Sequence, residues 1–197
     1  MIKATVAILT FNSENNLNNC LLSVKSFKEI LILDGGSTDK TLKIAKKYKC
    51  KILEQPKKFK YNNKKIKNFS KLKNFILKKS SNNLILFLDS DEILNKSILK
   101  KINFFSTSKI YENKYYSFLL GRFPIYKKKI IKQNTLLYPN FQERLIYKSN
   151  VKCFIKSVHE RPIKKYNDLV TKKIEDISIK FPINDDYNIL YKKYQHY

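Results

Sequence analysis

The amino-acid sequence predicts an α/β fold: a mostly parallel central sheet flanked by helices. Three observations carry that expectation. Over the first hundred residues, β-rich runs alternate with segments of helical periodicity. Three of the apolar runs end abruptly in polar or acidic groups, and two of the chain's three glycines, Gly35 and Gly36, sit together between such a run and a helix. Strands separated by helices of this length imply right-handed crossovers and a sheet covered on both faces.

ATVAILTF reads as the first strand, and Ser13 or Asn15 can cap a helix with Leu17, Leu21, Val24 and Phe27 at helical spacing. EILILDGGSTD repeats the form: a strand, the acid Asp34, a turn, and a helix starting near Ser37 or Thr38 with Leu42, Ala45 and Tyr48 on one face. Glycine in that turn permits positive φ, and the helix N-terminus beyond it favours an anion. The same residues are also ordinary turn chemistry. CKILEQ is a third short strand, and KLKNFILKKS a helix within the lysine- and asparagine-rich residues 57–83.

LILFLDSDE then reads as a buried parallel strand that delivers Asp89, Asp91 and Glu92 to the carboxyl edge of the sheet, where open α/β sheets bind ligands. Such acids suit a hard cation carrying phosphate. The alternative is a helix start, with Ser90 or Asp91 capping ILNKSILKKI and the acids favouring its dipole. Three strands ending in polar groups at one sheet edge would let Thr10, Asn12, Asp34, Asp89 and Asp91 converge, which weighs toward the cation.

With 197 residues, one domain is expected, and 43% apolar content is enough for a core. The formal charge of +25 favours anionic partners. The lysines are nevertheless spread along the whole chain beside many Asn and Ile, as a codon bias toward A and T produces. Only Arg122, Arg144 and Arg161 are arginine. Cys20, Cys50 and Cys153 form no CxxC pair, so reduced cytosolic thiols are expected rather than a disulfide framework or a zinc knuckle. The N-terminal apolar run is too short for a signal peptide, and no run approaches a membrane span. A cytoplasmic protein is expected, peripheral at an anionic inner membrane.

TFNSENNLNNCLLSV, ILDGGSTDKTLKIAKKY and LKNFILKKSSNNLILFLDSDE together resemble the three N-terminal blocks of family 2 glycosyltransferases with the GT-A (Rossmann-like) fold. LYPNFQERLIY and SVHE echo the bacterial subgroup that adds sugars to the lipopolysaccharide core. The resemblance is continuous over residues 4–105 and patchy from about 117 to 160. It implies inverting sugar transfer from a nucleotide-diphosphate donor, a UDP-sugar, to a cell-envelope glycan or glycolipid. It also implies a nucleotide-sugar-binding half (1–105) and an acceptor-side half (106–197).

Carried over by position, the resemblance places Thr10, Phe11, Asn12 and Glu14 around the base and ribose, Asp34 on the base, and Lys73 with Asn74 near the nucleotide. Asp89 and Asp91 match the DXD motif. Asp89 would lie near ribose or metal, Asp91 would hold Mn²⁺ or Mg²⁺ on the diphosphate, and His159 would complete the metal site. Positions 89 and 91 of an extended segment share a face, which suits one shared ion. The subgroup often has Asp where this chain has Asn140, which cannot act as a base. Glu143 is the substitute, with Gln142 and Arg144 on the acceptor side, and its plainer reading is a surface acid paired with Arg144.

Tyr115 to Arg122, the Lys127 to Lys132 basic run and the aromatic stretch after it would supply acceptor binding and membrane proximity; the plainer reading of the run is a solvated loop. His196 carries no role. Three rival classes stand beside this reading. A basic nucleic-acid binder lacks any recognised motif. A sugar nucleotidyltransferase needs a glycine-rich first loop, which TFNSEN is not. A degenerate family member, binding nucleotide sugar without efficient transfer, stays open because of Asn140.

Overall fold

A computed structural model describes residues 1–59, 68–126, 129–130 and 140–183. Most of the Lys127 to Lys132 run, His196 and the terminal segment NILYKKYQHY lie outside the described residues. The first half contains β1 (Ile2–Thr10), α1 (Leu17–Val24), β2 (Phe27–Asp34), α2 (Thr41–Lys47), β3 (Lys51–Glu54), α3 (Phe69–Lys79) and β4 (Leu84–Asp89). After these come β5 (Ile93–Leu94), α4 (Lys96–Phe105), α5 (Lys109–Lys114), β6 (Tyr115–Tyr126), β7 (Lys129–Ile130) and β8 (Asn140–Tyr147). The hairpin β9 (Val151–Ile155) and β10 (Arg161–Lys164) precedes the long strand β11 (Val170–Pro182).

Among the described residues one nine-stranded sheet runs β3-β2-β1-β4-β8-β6-β11-β5, with β7 also on β6. Strands β3, β2, β1 and β4 are mutually parallel. β8 runs antiparallel between β4 and β6, and β11 lies parallel to β6. The α/β expectation is met: its parallel half is the half in which strand and helix alternate in the sequence.

The central strands are apolar on both faces because both are covered. Val6, Ile8, Ile32, Leu86 and Leu88 pack with Leu17, Leu21 and Val24 of α1 and Ile98 and Ile102 of α4. On the opposite face Ala7, Leu31, Leu33, Ile85 and Phe87 meet Leu72 and Ile76 of α3 and Phe154 of the hairpin. Each fully buried aliphatic side chain here contributes about 1.5–3 kcal/mol of burial. Among the described residues no helix is long and apolar enough to cross a membrane.

Several helix boundaries differ from the sequence reading: α1 begins at Leu17 after Asn16, so neither Ser13 nor Asn15 caps it. Phe27 opens β2 instead of closing the face of α1. α2 begins at Thr41, because Ser37 and Thr38 are occupied in a loop network with Asn12 and Asp34. α4 begins at Lys96 after an Asn95 cap, so neither Ser90 nor Asp91 caps it. Residues 89–92 instead form a turn in which the Glu92 amide donates to the Asp89 carbonyl at 3.0 Å.

Candidate functional site

The carboxyl ends of β1, β2 and β4 lie side by side, as the sequence implied: Thr10 pairs with Asp34 and Leu9 with Asp89 in register. Two loops rise from this edge and are laced together. The Gly35 amide donates to the Thr10 carbonyl at 2.8 Å, and Gly36 takes the positive φ, 96°, that the turn requires. Asn12 also has positive φ, 47°, a region Asn tolerates better than most residues. Its side-chain oxygen accepts from the Thr38 amide at 2.9 Å, while its own amide donates to Ser37 Oγ at 2.9 Å. Glu14 Oε2 accepts from the Lys40 amide at 3.0 Å.

Asp34 is the hub of this lacing. Its Oδ1 accepts from Thr10 Oγ1 at 2.9 Å and Ser37 Oγ at 2.6 Å, and its Oδ2 from the Gly36 and Ser37 amides at 2.7 and 2.8 Å. Burial alone would raise its pKa, but the donors around Ser37 and Gly36 together hold it below the ordinary value. The resemblance put Asp34, Asn12 and Glu14 on the nucleotide; here their polar atoms build the loops that would surround it. Phe11, 52% exposed, leaves its ring open at the same edge.

Asp34→Asn replaces one acceptor oxygen by a donor facing other donors, and a loss of about 1–3 kcal/mol is expected. The sign of the pH effect follows from the lowered pKa. The contribution is present above the ordinary 3.8 and is lost as pH falls through the folded value. Urea denaturation from neutral pH down to about pH 3 should therefore show a smaller acid-induced loss in the variant than in the parent.

At the end of β4, Arg144 grips Asp89 with both arms of its guanidinium, Nη1 to Oδ1 at 3.2 Å and Nη2 to Oδ2 at 2.8 Å. Nη2 also donates to Glu92 Oε1 at 3.2 Å, and Arg122 Nε donates to the same oxygen at 2.5 Å. Glu92 is fully buried, and its Oε2 accepts from the Asp89 amide at 2.9 Å. Burial pushes the Glu92 carboxyl up against the pull of Arg144, whereas for Asp89 burial is outweighed by Arg144, Arg122 and Lys73 together, which keep the carboxyl below its usual range. The sequence placed Glu92 only among the acids suited to a cation and Arg122 only in an acceptor-binding stretch; their pairing is a finding of the structure. The available signal was compositional: in a chain whose cations are nearly all lysine, two of the three arginines are where a planar, two-armed donor is needed.

A register shift brings Glu143 and Arg144 onto the same face. β6 advances from Phe118 to Leu119 while β8 steps from Leu145 to Glu143, so Arg144 is the extra residue of a β-bulge. Glu143 and Arg144 consequently both face a cleft of about 380 Å³, together with Gln142, Lys73, His159 and Glu160. Glu143 is not paired with Arg144. Its Oε1 accepts from Ser117 Oγ at 2.7 Å and Thr171 Oγ1 at 3.3 Å.

Lys73 is buried between the Phe87 and Phe154 rings and pairs with Glu160 at 2.5 Å. Burial lowers its pKa, against the opposing pull of Glu160. Asn74 faces structural work: its side chain brackets Phe154, accepting from the amide at 2.7 Å and donating to the carbonyl at 2.9 Å.

Asp91 is exposed, and no hydrogen bond or ion pair ties its carboxylate to another side chain among the described residues. Desolvation, then the charge of Asp89, raises its pKa. Among the described residues no three His, Cys, Asp or Glu side chains are gathered as for a metal ion, so Asp89, Asp91 and His159 are not preassembled as one ligand set. His159 belongs to the β9–β10 loop, at positive φ of 53°. Asp89 keeps about half of its side-chain surface open beside Asp91. Two hard oxygen donors on one turn fit a divalent cation whose remaining ligands are phosphate and water.

Similarity to known proteins covers the N-terminal half in sequence and most of the chain in fold. The family model for glycosyl transferase family 2 matches residues 5–105. Poly(ribitol-phosphate) beta-N-acetylglucosaminyltransferase TarS of Staphylococcus aureus is 33% identical over 106 residues, covering 51% of this chain and 18% of TarS. The SPbeta prophage-derived glycosyltransferase SunS of Bacillus subtilis is 35% identical over 100 residues, 50% of this chain and 22% of SunS. The chain thus spans 18–22% of the length of these relatives. A solved structure of S. aureus TarS with UDP-GlcNAc superposes with a TM-score of 0.62 at 20% identity, over 95% of this chain and 60% of that one. The corresponding UDP complex gives 0.61 over 92% and 60%. The shared architecture is the GT-A fold.

Proposed function

Because the chain belongs to glycosyl transferase family 2, we propose that it moves a sugar from a nucleotide-diphosphate donor, a UDP-sugar, to a hydroxyl of a cell-envelope glycan, with inversion at the anomeric carbon. The observation that carries this reading is the convergence of Thr10, Asp34 and Asp89 at one sheet edge, with Asp91 unpartnered on the turn after Asp89 and Arg144 joining Asp89 to the cleft that Glu143 lines. The laced loops carrying Asn12, Glu14 and Asp34 frame the nucleotide, and Phe11 offers a ring for stacking. His159 and Glu160 close the cleft opposite Gln142. Residues 1–105 serve the donor and 106–197 the acceptor.

The acceptor hydroxyl attacks the anomeric carbon as the sugar–phosphate bond breaks and the nucleoside diphosphate departs with the bonding electrons. Glu143, held by Ser117 and Thr171 through Oε1, takes the hydroxyl proton on Oε2 as general base. Asp89 and Asp91 would hold Mn²⁺ or Mg²⁺, which when bound offsets the charge growing on the leaving diphosphate. Lys73 and Arg144 add fixed positive charge at the cleft wall. The lipopolysaccharide core is the acceptor class implied by LYPNFQERLIY and SVHE, while TarS is named for poly(ribitol-phosphate). A second reading, donor binding without efficient transfer, rests on Asn140 opening β8 where the subgroup often has an acid.

A panel of nucleotide sugars read by thermal shift, with and without Mn²⁺, tests the donor. Stabilisation by a UDP-sugar is expected, and stabilisation by none of the panel would remove the reading. Glu143→Gln should lower turnover by about 100-fold or more while leaving donor affinity unchanged. Undiminished turnover would strip Glu143 of the base role, and parent turnover at background would favour the second reading.

A further inference from the structure

The β9–β10 hairpin has two contrasting faces. Register pairs Pro162 with Phe154 and Arg161 with Ile155. The Phe154–Pro162 face is buried, with the Phe154 ring 5.5 Å from that of Phe87. The tip is tied to α3 by three contacts. The Phe69 amide donates to the Ser157 carbonyl at 3.0 Å, Asn74 brackets Phe154, and Lys73 pairs with Glu160.

The outer face carries Ile155, 42% exposed, and Val158 at the tip, 58% exposed. Arg161 is the cross-strand partner of Ile155, Lys156 follows it in the chain and Lys152 lies further back along β9; all three are exposed and without an acidic partner among the described residues. The one acid between residues 148 and 165, Glu160, is taken by Lys73. Three ties therefore hold in place a tip that presents aliphatic side chains beside unpaired cations.

We propose that this hairpin tip docks the protein on a membrane surface carrying anionic headgroups. Aliphatic groups at the tip fit the boundary between headgroups and acyl chains, while the neighbouring cations meet lipid phosphates. Because α3 already orders the tip, docking carries little ordering cost. A second copy of the chain would set unpaired cations against one another. A nucleic acid would leave the aliphatic groups unsatisfied. Val158 and His159 also line the cleft, so docking would set its mouth at headgroup level, within reach of a lipid-linked acceptor. That last consequence rests on the transferase reading; the docking does not.

Sedimentation of the chain with neutral phosphatidylcholine vesicles, and with vesicles containing phosphatidylglycerol, tests the assignment without any donor. Binding to the anionic vesicles alone is expected, weakening as salt rises. Ile155→Ser with Lys156→Asn and Arg161→Gln should weaken it by about 30-fold, from two cations and one aliphatic contact, with thermal stability and UDP-sugar hydrolysis unchanged. Lys152→Gln with Arg161→Gln alters no buried atom and should also weaken binding markedly, so a destabilised triple variant does not decide the matter. Equal binding to neutral vesicles, full binding by both variants, or a dimer in light scattering that the substitutions dissolve would each overturn the proposal. Vesicle binding without UDP-sugar binding would sink the transferase reading and leave this surface standing.

Discussion

Arg144→Leu is expected to cost about 3 kcal/mol of folding stability and to take donor binding with it. The guanidinium is 7% exposed and serves Asp89 with two hydrogen bonds and the fully buried Glu92 with a third. Removing one partner of a buried ion pair costs about 3–5 kcal/mol, because the charge left behind keeps its desolvation penalty. Here Arg122 still serves Glu92, which places the loss at the lower end. Arg144→Lys restores the charge but not the two-armed grip, so it should recover part of the stability and little of the donor affinity. Chemical denaturation and calorimetric titration with UDP separate the two effects. An Arg144→Leu chain as stable as the parent would mean that the Asp89–Glu92 pair is not held as described.

Asp91→Asn should do the reverse, abolishing cation-dependent donor binding while leaving the fold intact. Asp91 is exposed and supports no other described side chain, so its stability cost should stay within about 0.5 kcal/mol. Losing one of two carboxylates from a cation bridging to phosphate should weaken Mn²⁺-dependent UDP binding by about 100-fold or more. The pH dependence has a definite sign. Desolvation and the neighbouring Asp89 raise the Asp91 pKa, so cation-dependent binding in the parent should begin to fall at a pH above the ordinary 3.8. Titration of UDP with and without Mn²⁺ reads both effects. Unchanged affinity in the variant would remove Asp91 from the metal site.

Much of the N-terminal half was legible in the sequence because its signals are local. A continuous apolar run such as LILFL marks a strand buried on both faces, and adjacent glycines before a helix mark a turn. Helix starts were less legible. Ser37 and Thr38 look like caps but are consumed by Asn12 and Asp34 from neighbouring strands, and DSDE looks like a cap but its Asp89 and Glu92 turn back on one another and on two arginines. The C-terminal strands escaped the sequence reading: β6, β8 and β11 have mixed polarity and pair across long separations with repeated register shifts.

By itself, then, the sequence determined the α/β class, the order of the N-terminal strands and helices, and the sheet edge where Thr10, Asp34 and Asp89 end. These follow from short-range periodicity and turn chemistry, which each segment carries alone. The tertiary structure decided which carboxylates are free. Asp34 is spent on its loop, Asp89 and Glu92 are tied to Arg144 and Arg122, and Asp91 is left open. It also decided that Glu143 and Arg144 share a face, because the bulge that turns both toward the cleft arises only when β8 is matched against β6. Alternation along an isolated strand puts neighbouring residues on opposite faces, and only a partner strand in shifted register can overrule it.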